Sequence, residues 1–183
     1  MNEDFLLIEE YKRGSVKAFE KLYKKYASKM KGVAYRYVND SFIAEDILQE
    51  SFVKVFNKIK TFEPTGPFEV WLRRVVVNTS INYYNSQKRE MERMSEFALS
   101  PENENTDDNF DDEDSYTMQE LMEAMNLLPG GYKLVFNLYA IDNYSHKEIA
   151  ETLNITEGTS KSQLFKAKAF LKKTLQSKKI ISQ

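Results

Sequence analysis

An acidic segment near the middle of the chain limits the folds that this sequence can adopt. Residues 100–116 contain eight Asp and Glu side chains and no Lys or Arg. Few apolar side chains accompany them, so the segment cannot bury enough surface to offset the entropy lost on ordering. We therefore expect two small domains joined by an acidic flexible linker, rather than one core that runs through the whole chain.

Apolar residues before the acidic segment recur at helical spacing. Within residues 5–88 the pattern is interrupted at Gly14, near Asp40 and at the proline-containing loop of residues 63–67. These interruptions predict four helices, with Asp40 or Ser41 as the N-cap of the third.

A second helical unit is predicted after the acidic segment. Two short helices are expected over residues 118–128 and 132–141, and a helix-turn-helix pattern follows up to about residue 179. Because neither half shows a strand pattern, the predicted fold class is all-α. The expected domains are residues 1–92 and 117–179, with the linker at 93–116 and a short tail at 180–183.

The composition argues against several kinds of function. The chain has no Cys and one His, His146, which leaves almost nothing for a disulfide framework, a thiolate nucleophile or a metal site. Its carboxylates cluster on one helix face or in the linker instead of converging with a nucleophile, so we expect no enzyme activity, metal or cofactor. The N-terminus is unlike a signal peptide and no apolar run approaches bilayer-spanning length, which predicts a cytoplasmic protein.

The charges are segregated along the chain. Removing the eight negative charges of the acidic segment from the formal net charge of -2 leaves the rest of the chain at +6. The presumed folded parts are therefore net basic, as binding to nucleic acid requires.

The helix-turn-helix pattern has polar side chains suited to DNA. Ser145 and Glu148 predict a capping box for its first helix, and Thr156 is expected to cap the second. Short hydroxyls, an amide and lysines on these helices can reach base edges and phosphates; the less favoured alternative for the lysines is a merely solvated helix face. The predicted DNA-binding residues here are Ser145, Lys147, Thr159, Ser160, Lys161, Ser162, Gln163, Lys166 and Lys168.

The third predicted helix carries an acidic and amide surface. Such a surface would repel DNA but suits a protein partner that presents arginines; the alternative is an ordinary solvated face. The residues of this predicted protein-binding surface are Glu45, Asp46, Gln49 and Glu50, with Phe52 and Val53 as exposed apolar neighbours.

The fourth helix and the loop before it have the opposite character. Arg74, Asn78 and Asn82 recur at intervals of four, which places them on one face. The loop is stiffened by prolines and could form a pocket for an unstacked base, whereas Trp71 is predicted to belong to the core. The predicted nucleic-acid-binding residues are Glu63, Pro64, Thr65, Gly66, Arg74, Asn78, Asn82, Lys88 and Arg89.

Three motifs in this order resemble bacterial RNA polymerase sigma factors of the extracytoplasmic-function (ECF) subfamily of the sigma-70 family. The run EDILQESF at residues 45–52 resembles sigma region 2.2. Residues 62–82, with the run FEVWLRRVVVN at residues 68–78, resemble regions 2.3 and 2.4. The run EGTSKS at residues 157–162 resembles region 4.2. Two departures leave the preferred promoter bases open: Gln163 stands where many relatives carry a basic residue, and the loop of residues 63–67 is unusual.

The resemblance implies a sigma factor that binds core RNA polymerase, directs it to promoter DNA and helps to open that DNA. It implies docking of the region 2.2 helix on the beta-prime clamp helices, and further contact with the beta flap. The fourth helix and its loop would read the −10 element and capture a flipped base, and the last helix would read the −35 element. An anti-sigma factor would restrain the protein, which would associate with the nucleoid when active.

The acidic linker has two possible roles under this resemblance. It would pass through the active-site cleft and RNA exit path of polymerase, or it would serve as an inert spacer. A stand-alone helix-turn-helix regulator is the main rival function, but it would explain only the C-terminal third of the chain.

Overall fold

A computed structural model describes residues 3–62, 66–94 and 116–181. The regular elements in these ranges are all helical, and the chain divides into two compact units, Met1–Met94 and Ser95–Gln183. The predicted all-α fold with two helical domains is therefore confirmed. The linker predicted at residues 93–116 lies outside the described residues except at its two ends.

The first unit has four α-helices in its described part, as predicted. The third is capped by Asp40, whose carboxylate accepts hydrogen bonds from the backbone N–H groups of Phe42 (2.8 Å) and Ile43 (3.0 Å). The last helix continues beyond the predicted end near residue 88. The helices are α1 (Glu3–Lys12), α2 (Val16–Val38), α3 (Ser41–Lys58) and α4 (Phe68–Met94), with a short 3₁₀ turn at Ile59–Thr61.

The core of the first unit lies around α2, which packs against α1, α3 and α4. Leu22, Met30 and Ala34 lie on one stripe of α2 and have essentially no exposed surface. The α3 and α4 helices contribute side chains such as Val55 and Leu72 to the same core. This packing fixes which faces of α3 and α4 remain exposed.

A buried carboxylate fixes α1 on α2. Asp4 accepts hydrogen bonds from the Tyr26 hydroxyl and from the ammonium of Lys25, both at 2.6 Å. Burial and the hydrogen bond to Asp4 raise the pKa of Tyr26. The C-terminal end of α1 is held as well, because the Lys12 ammonium donates to the backbone oxygen of Phe62 at 3.2 Å.

The second unit contains α5 (Met118–Asn126), α6 (Gly130–Phe136), α7 (His146–Leu153) and α8 (Glu157–Ile181) in its described part. The helix predicted at residues 132–141 instead begins at Gly130 and ends in a π-helical turn at Asn137–Ile141. An early start is compatible with the glycines because the first helical turn needs no intrahelical N–H partners. The core between α5 and α8 includes Met125, Ala167 and Leu171.

Within the described ranges, no helix combines the length and hydrophobicity needed to cross a membrane.

Lys133 on α6 is buried, and its ammonium donates to Oδ1 of Asn126 at 3.3 Å. Burial lowers the pKa of Lys133, because the charged form loses hydration. We expect Lys133→Met to raise the free energy of unfolding by about 1 kcal/mol near neutral pH. Because the pKa of Lys133 is lower in the folded state than in the unfolded state, burial of this amine destabilises the native chain only while the amine is charged. The difference in the free energy of unfolding between Lys133→Met and the native chain should therefore shrink in alkaline buffer.

Denaturant unfolding at both pH values checks this prediction. Lys173→Met, which removes an exposed ammonium from α8, is the matched control. The prediction would be contradicted if the increase in the free energy of unfolding for Lys133→Met did not depend on pH, or if it equalled the increase for Lys173→Met.

Candidate protein and nucleic-acid interfaces

The acidic side chains of α3 differ in their partners. Glu45 is half-buried and pairs across α2 and α3 with the ammonium of Lys31 at 2.7 Å, which lowers the pKa of the Glu45 carboxyl. Glu50 is exposed and pairs with Lys54 at 2.7 Å. Asp46 is also exposed, and among the described residues no ion pair forms with its carboxylate. Asp46 is thus the acid on this face that is best placed to receive a cation from another molecule.

Phe52 was predicted as an exposed neighbour of these acids, and that placement is wrong. Its side chain is 4% exposed, and its ring contacts the rings of Tyr23 (centroids 4.7 Å apart) and Phe19 (6.2 Å). The reason is its position one turn after Leu48, within the stripe of α3 that faces the core.

The most exposed apolar side chains on this face are Phe42 (86% exposed) and Val53 (60%). Sequence reasoning missed Phe42, although it lies one helical turn before Asp46 and therefore on the same side of α3. An exposed aromatic ring beside acids is typical of a surface that binds protein. We call the set of Phe42, Asp46, Gln49, Glu50 and Val53 the α3 surface.

The predicted polar stripe of α4 lies on the exposed side of that helix. Arg74, Asn78 and Asn82 are exposed, as are Lys88 and Arg89 further along. The opposite side of α4 contributes buried residues to the core, including Val76 and Val77. The α4 stripe presents amides, which can both donate and accept hydrogen bonds, together with positive charge.

The loop before α4 is described only in part. Glu63, Pro64 and Thr65 lie outside the described residues, whereas Gly66 is exposed. Trp71 is half-buried, and its ring lies 4.9 Å from the ring of Phe62, in agreement with a structural role. A mainly apolar cavity of about 300 Å³ lies beside this segment, lined by Asp4, Phe5, Ile8, Phe62, Gly66, Pro67 and Phe68.

The helix-turn-helix has the caps that the sequence predicts. The Ser145 hydroxyl accepts from the backbone N–H of Glu148 at 3.2 Å, and the Glu148 carboxylate accepts from the N–H of Ser145 at 2.9 Å. Asn154 turns the chain in the left-handed conformation (φ 54°). The Thr156 hydroxyl then accepts from the N–H of Thr159 at 3.0 Å, which caps the first turn of α8.

Eight of the nine predicted DNA-binding residues of this unit fall into three groups. Lys147, Lys161 and Ser162 are exposed. The hydroxyls of Ser145 and Thr159 are engaged in the caps, although Ser145 remains exposed. Half-buried positions are held by Gln163, Lys166 and Lys168.

Ser160 was predicted to face outward, and this is also wrong. It is fully buried, and its hydroxyl oxygen lies 2.9 Å from Nδ1 of His146. Ser160 lies four residues before Leu164 and seven before Ala167, both of which are buried, so it belongs to the inner stripe of α8. His146 was not predicted to have any role; the spacing of Ser160 from the inner apolar residues was the available signal.

No group of three His, Asp or Glu side chains forms a possible metal site within the described residues.

Comparison with known proteins places both units in one family. The model for Sigma-70 region 2 matches residues 22–90, and the model for Sigma-70, region 4 matches residues 118–171. The ECF RNA polymerase sigma-E factor of Haemophilus influenzae is 30% identical over 181 residues, which cover 94% of this chain and 95% of that protein. The RNA polymerase sigma-H factor of Pseudomonas aeruginosa is 27% identical over 182 residues, which cover 95% and 94%.

A solved structure has a similar fold. The sigma factor RpoE in complex with the anti-sigma factor NepR from Bartonella quintana aligns with a TM-score of 0.56 at 22% identity, over 88% of this chain and 98% of that chain.

Proposed function

The chain belongs to the ECF subfamily of the sigma-70 family, which directs RNA polymerase in transcription initiation, and from this membership we propose how its surfaces divide that work. The first unit binds core RNA polymerase and the −10 element of the promoter. The second unit binds the −35 element. Both units act as non-catalytic binding modules in the cytoplasm, and at the nucleoid when the protein is active.

The α3 surface is the proposed docking site for core polymerase, through the beta-prime clamp helices. The observation that carries this proposal is the exposed Asp46 carboxylate between exposed Phe42 and Val53. A desolvated carboxylate pairs well with an arginine fork, and apolar neighbours exclude water from such a pair. Glu45 and Glu50 already pair with Lys31 and Lys54, so a cation of the partner must displace these lysines before it can pair with either carboxylate.

The α4 stripe is the proposed −10 reader. Arg74 suits a phosphate or a guanine edge, and the amides of Asn78 and Asn82 suit base edges. The loop that contains Glu63, Pro64, Thr65 and Gly66 precedes this helix directly and is proposed to take the flipped base. Lys88 and Arg89 extend the same helix toward neighbouring phosphates.

The helix-turn-helix is the proposed −35 reader, with α8 in the major groove. Lys161 and Ser162 are exposed in the first turns of α8, where a recognition helix approaches base edges. Lys147, Lys166 and Lys168 are proposed to contact phosphates, which position the helix without reading sequence. The beta flap of polymerase is the proposed protein partner of this unit.

An anti-sigma factor is the proposed regulator of this chain. The similar RpoE structure contains the anti-sigma factor NepR. A stand-alone helix-turn-helix regulator is the less favoured account, because the relatives match both units over nearly their whole length.

We expect Arg74→Ala and Asn78→Ala each to lower initiation from a fully duplex promoter about tenfold, because a lost base or phosphate contact weakens capture of the opened −10 strand. Binding to core polymerase should be unchanged. Gln119→Ala, which removes an exposed amide from α5 in the second unit, is the matched control. Run-off transcription with each variant measures the effect; initiation equal to that of the native chain, or a parallel loss of polymerase binding, would count against the proposed −10 role.

A further inference from the structure

His146 joins three elements of the helix-turn-helix unit. It is the first residue of α7, and its Nδ1 lies 2.9 Å from the Ser160 hydroxyl on α8. Its ring also stacks on the ring of Tyr139 in the π-helical turn, with centroids 4.6 Å apart and planes inclined by 22°. The single histidine of the chain therefore connects the turn before α7, the start of α7 and the first turns of α8.

The hydrogen bond between His146 and Ser160 is the one hydrogen bond of a buried hydroxyl. Ser160 has no exposed surface, and its hydroxyl has no other hydrogen-bond partner among the described residues. The donor is either the hydroxyl or Nδ1–H, according to the tautomer of His146. In either direction, breaking the bond would leave a buried polar group without its partner.

A further hydrogen bond lies in the same part of α8. The hydroxyls of Thr156 and Thr159 lie 2.8 Å apart, which ties the first turn to its cap. Beyond Ser160, the amide of Gln163 lies on the side of Gly131 of α6, and a β-carbon added to Gly131 would be 3.6 Å from Nε2 of Gln163. Ser160 lies between Thr159 and Gln163, and the core encloses it completely.

The orientation of Ser160 determines the orientation of its neighbours. An α-helix turns by about 100° per residue, so a side chain fixed toward the core sets the directions of the next two. Those two are Lys161 and Ser162, and both are exposed. A change in the rotation of this turn would redirect both side chains together.

We propose that His146 and Ser160 are positioning residues for base reading at the −35 element: their hydrogen bond fixes the rotation of the first turns of α8, so that Lys161 and Ser162 face the base edges in the major groove. This inference rests on the proposed function of the second unit. Neither residue needs to touch DNA, because both act through the two exposed side chains.

Three substitutions separate positioning from ordinary packing. Ser160→Ala removes the hydroxyl. His146→Asn keeps near the place of Nδ1 an amide group that can accept or donate, whereas His146→Gln carries its amide group one carbon further and loses that position. Ser177→Ala is the control, because it removes an exposed hydroxyl from the same helix, where it donates to the backbone oxygen of Lys173 at 2.8 Å.

The measurement uses the full chain bound to core polymerase. The DNA probes are a promoter that the native chain selects from a randomised library and versions of it with single base-pair changes in the −35 element. We expect Ser160→Ala and His146→Gln to lower the discrimination between these promoters about three- to tenfold, as the loss of one buried hydrogen bond predicts. His146→Asn and Ser177→Ala should stay within about twofold of the native chain.

Each contrary outcome has a distinct meaning. Promoter discrimination that is unchanged in Ser160→Ala and His146→Gln overturns the inference. The inference is also overturned if His146→Asn and His146→Gln lose discrimination equally and in proportion to their loss of folding stability. Nitrogen NMR of the His146 ring tests the bond without DNA; ring-nitrogen shifts that stay the same in Ser160→Ala overturn the inference as well. A native chain that selects no promoter contradicts the proposed function and removes the inference with it.

Discussion

Replacing Asp46 by alanine is expected to weaken binding of the chain to core RNA polymerase by about 30-fold or more, because truncating one member of a desolvated interfacial charge pair costs about 2–5 kcal/mol. Asp46 is exposed on the α3 surface, whereas the flanking carboxylates of Glu45 and Glu50 already pair with lysines of the chain. Alanine substitution at Glu45 or Glu50 should therefore have a smaller effect, because each carboxylate must first leave its own lysine.

Titration of each variant into labelled core polymerase measures this loss. Glu20→Ala is the matched control, since it removes an exposed carboxylate that pairs with Lys24 at 2.7 Å on α2, away from the α3 surface. Circular dichroism establishes that helix content is retained. Native-like affinity of Asp46→Ala, or an equal loss in the Glu20→Ala control, would rule out the α3 surface as the docking site.

Reversing the charge of Lys161 is expected to weaken binding of the −35 element at least about tenfold, because a good contact to a base edge provides about 1–3 kcal/mol of discrimination. Lys161 is exposed and follows Ser160, the residue that the core holds in place. Lys161→Glu removes a donor and places a carboxylate near DNA phosphates, so repulsion adds to the lost contact.

Lys173→Glu separates position from net charge. Lys173 is exposed on the same helix, three turns further along, so both variants change the total charge equally. Affinities of the two holoenzymes for a promoter with an intact or a scrambled −35 element make the comparison. If Lys161→Glu and Lys173→Glu lose affinity equally, Lys161 acts only through general electrostatic attraction. If the native chain binds both promoters with equal affinity, the second unit does not read the −35 element.

The sequence predicts the helices of this fold well because N-cap residues and helix-breaking residues lie at their boundaries. Asp40, Ser145 and Thr156 act as the expected caps, and the loop before Phe68 ends one helix and begins another. Where the residues at a boundary are compatible with more than one structure, the predicted start or end of the helix is less accurate. Adjacent glycines can end a helix or lie in its first turn, and here Gly130 begins α6.

The candidate surfaces are predicted less completely, because exposure depends on how wide the buried stripe of a helix is. Phe52 and Ser160 both border a polar face, and tertiary packing places each on the inner side. Ser160 is a further problem for sequence reasoning, since a buried hydroxyl needs a partner that only the fold provides. That partner is His146, fourteen residues away in sequence.

Run-off transcription with purified core polymerase on a randomised promoter library tests whether this chain acts as a sigma factor. We expect the chain to form a stable complex with core polymerase, and discrete transcripts to appear only when the chain is added. We further expect that the selected promoters share two separated elements, one for each helical unit. A chain that binds DNA but never joins core polymerase would contradict the account and favour a stand-alone helix-turn-helix regulator.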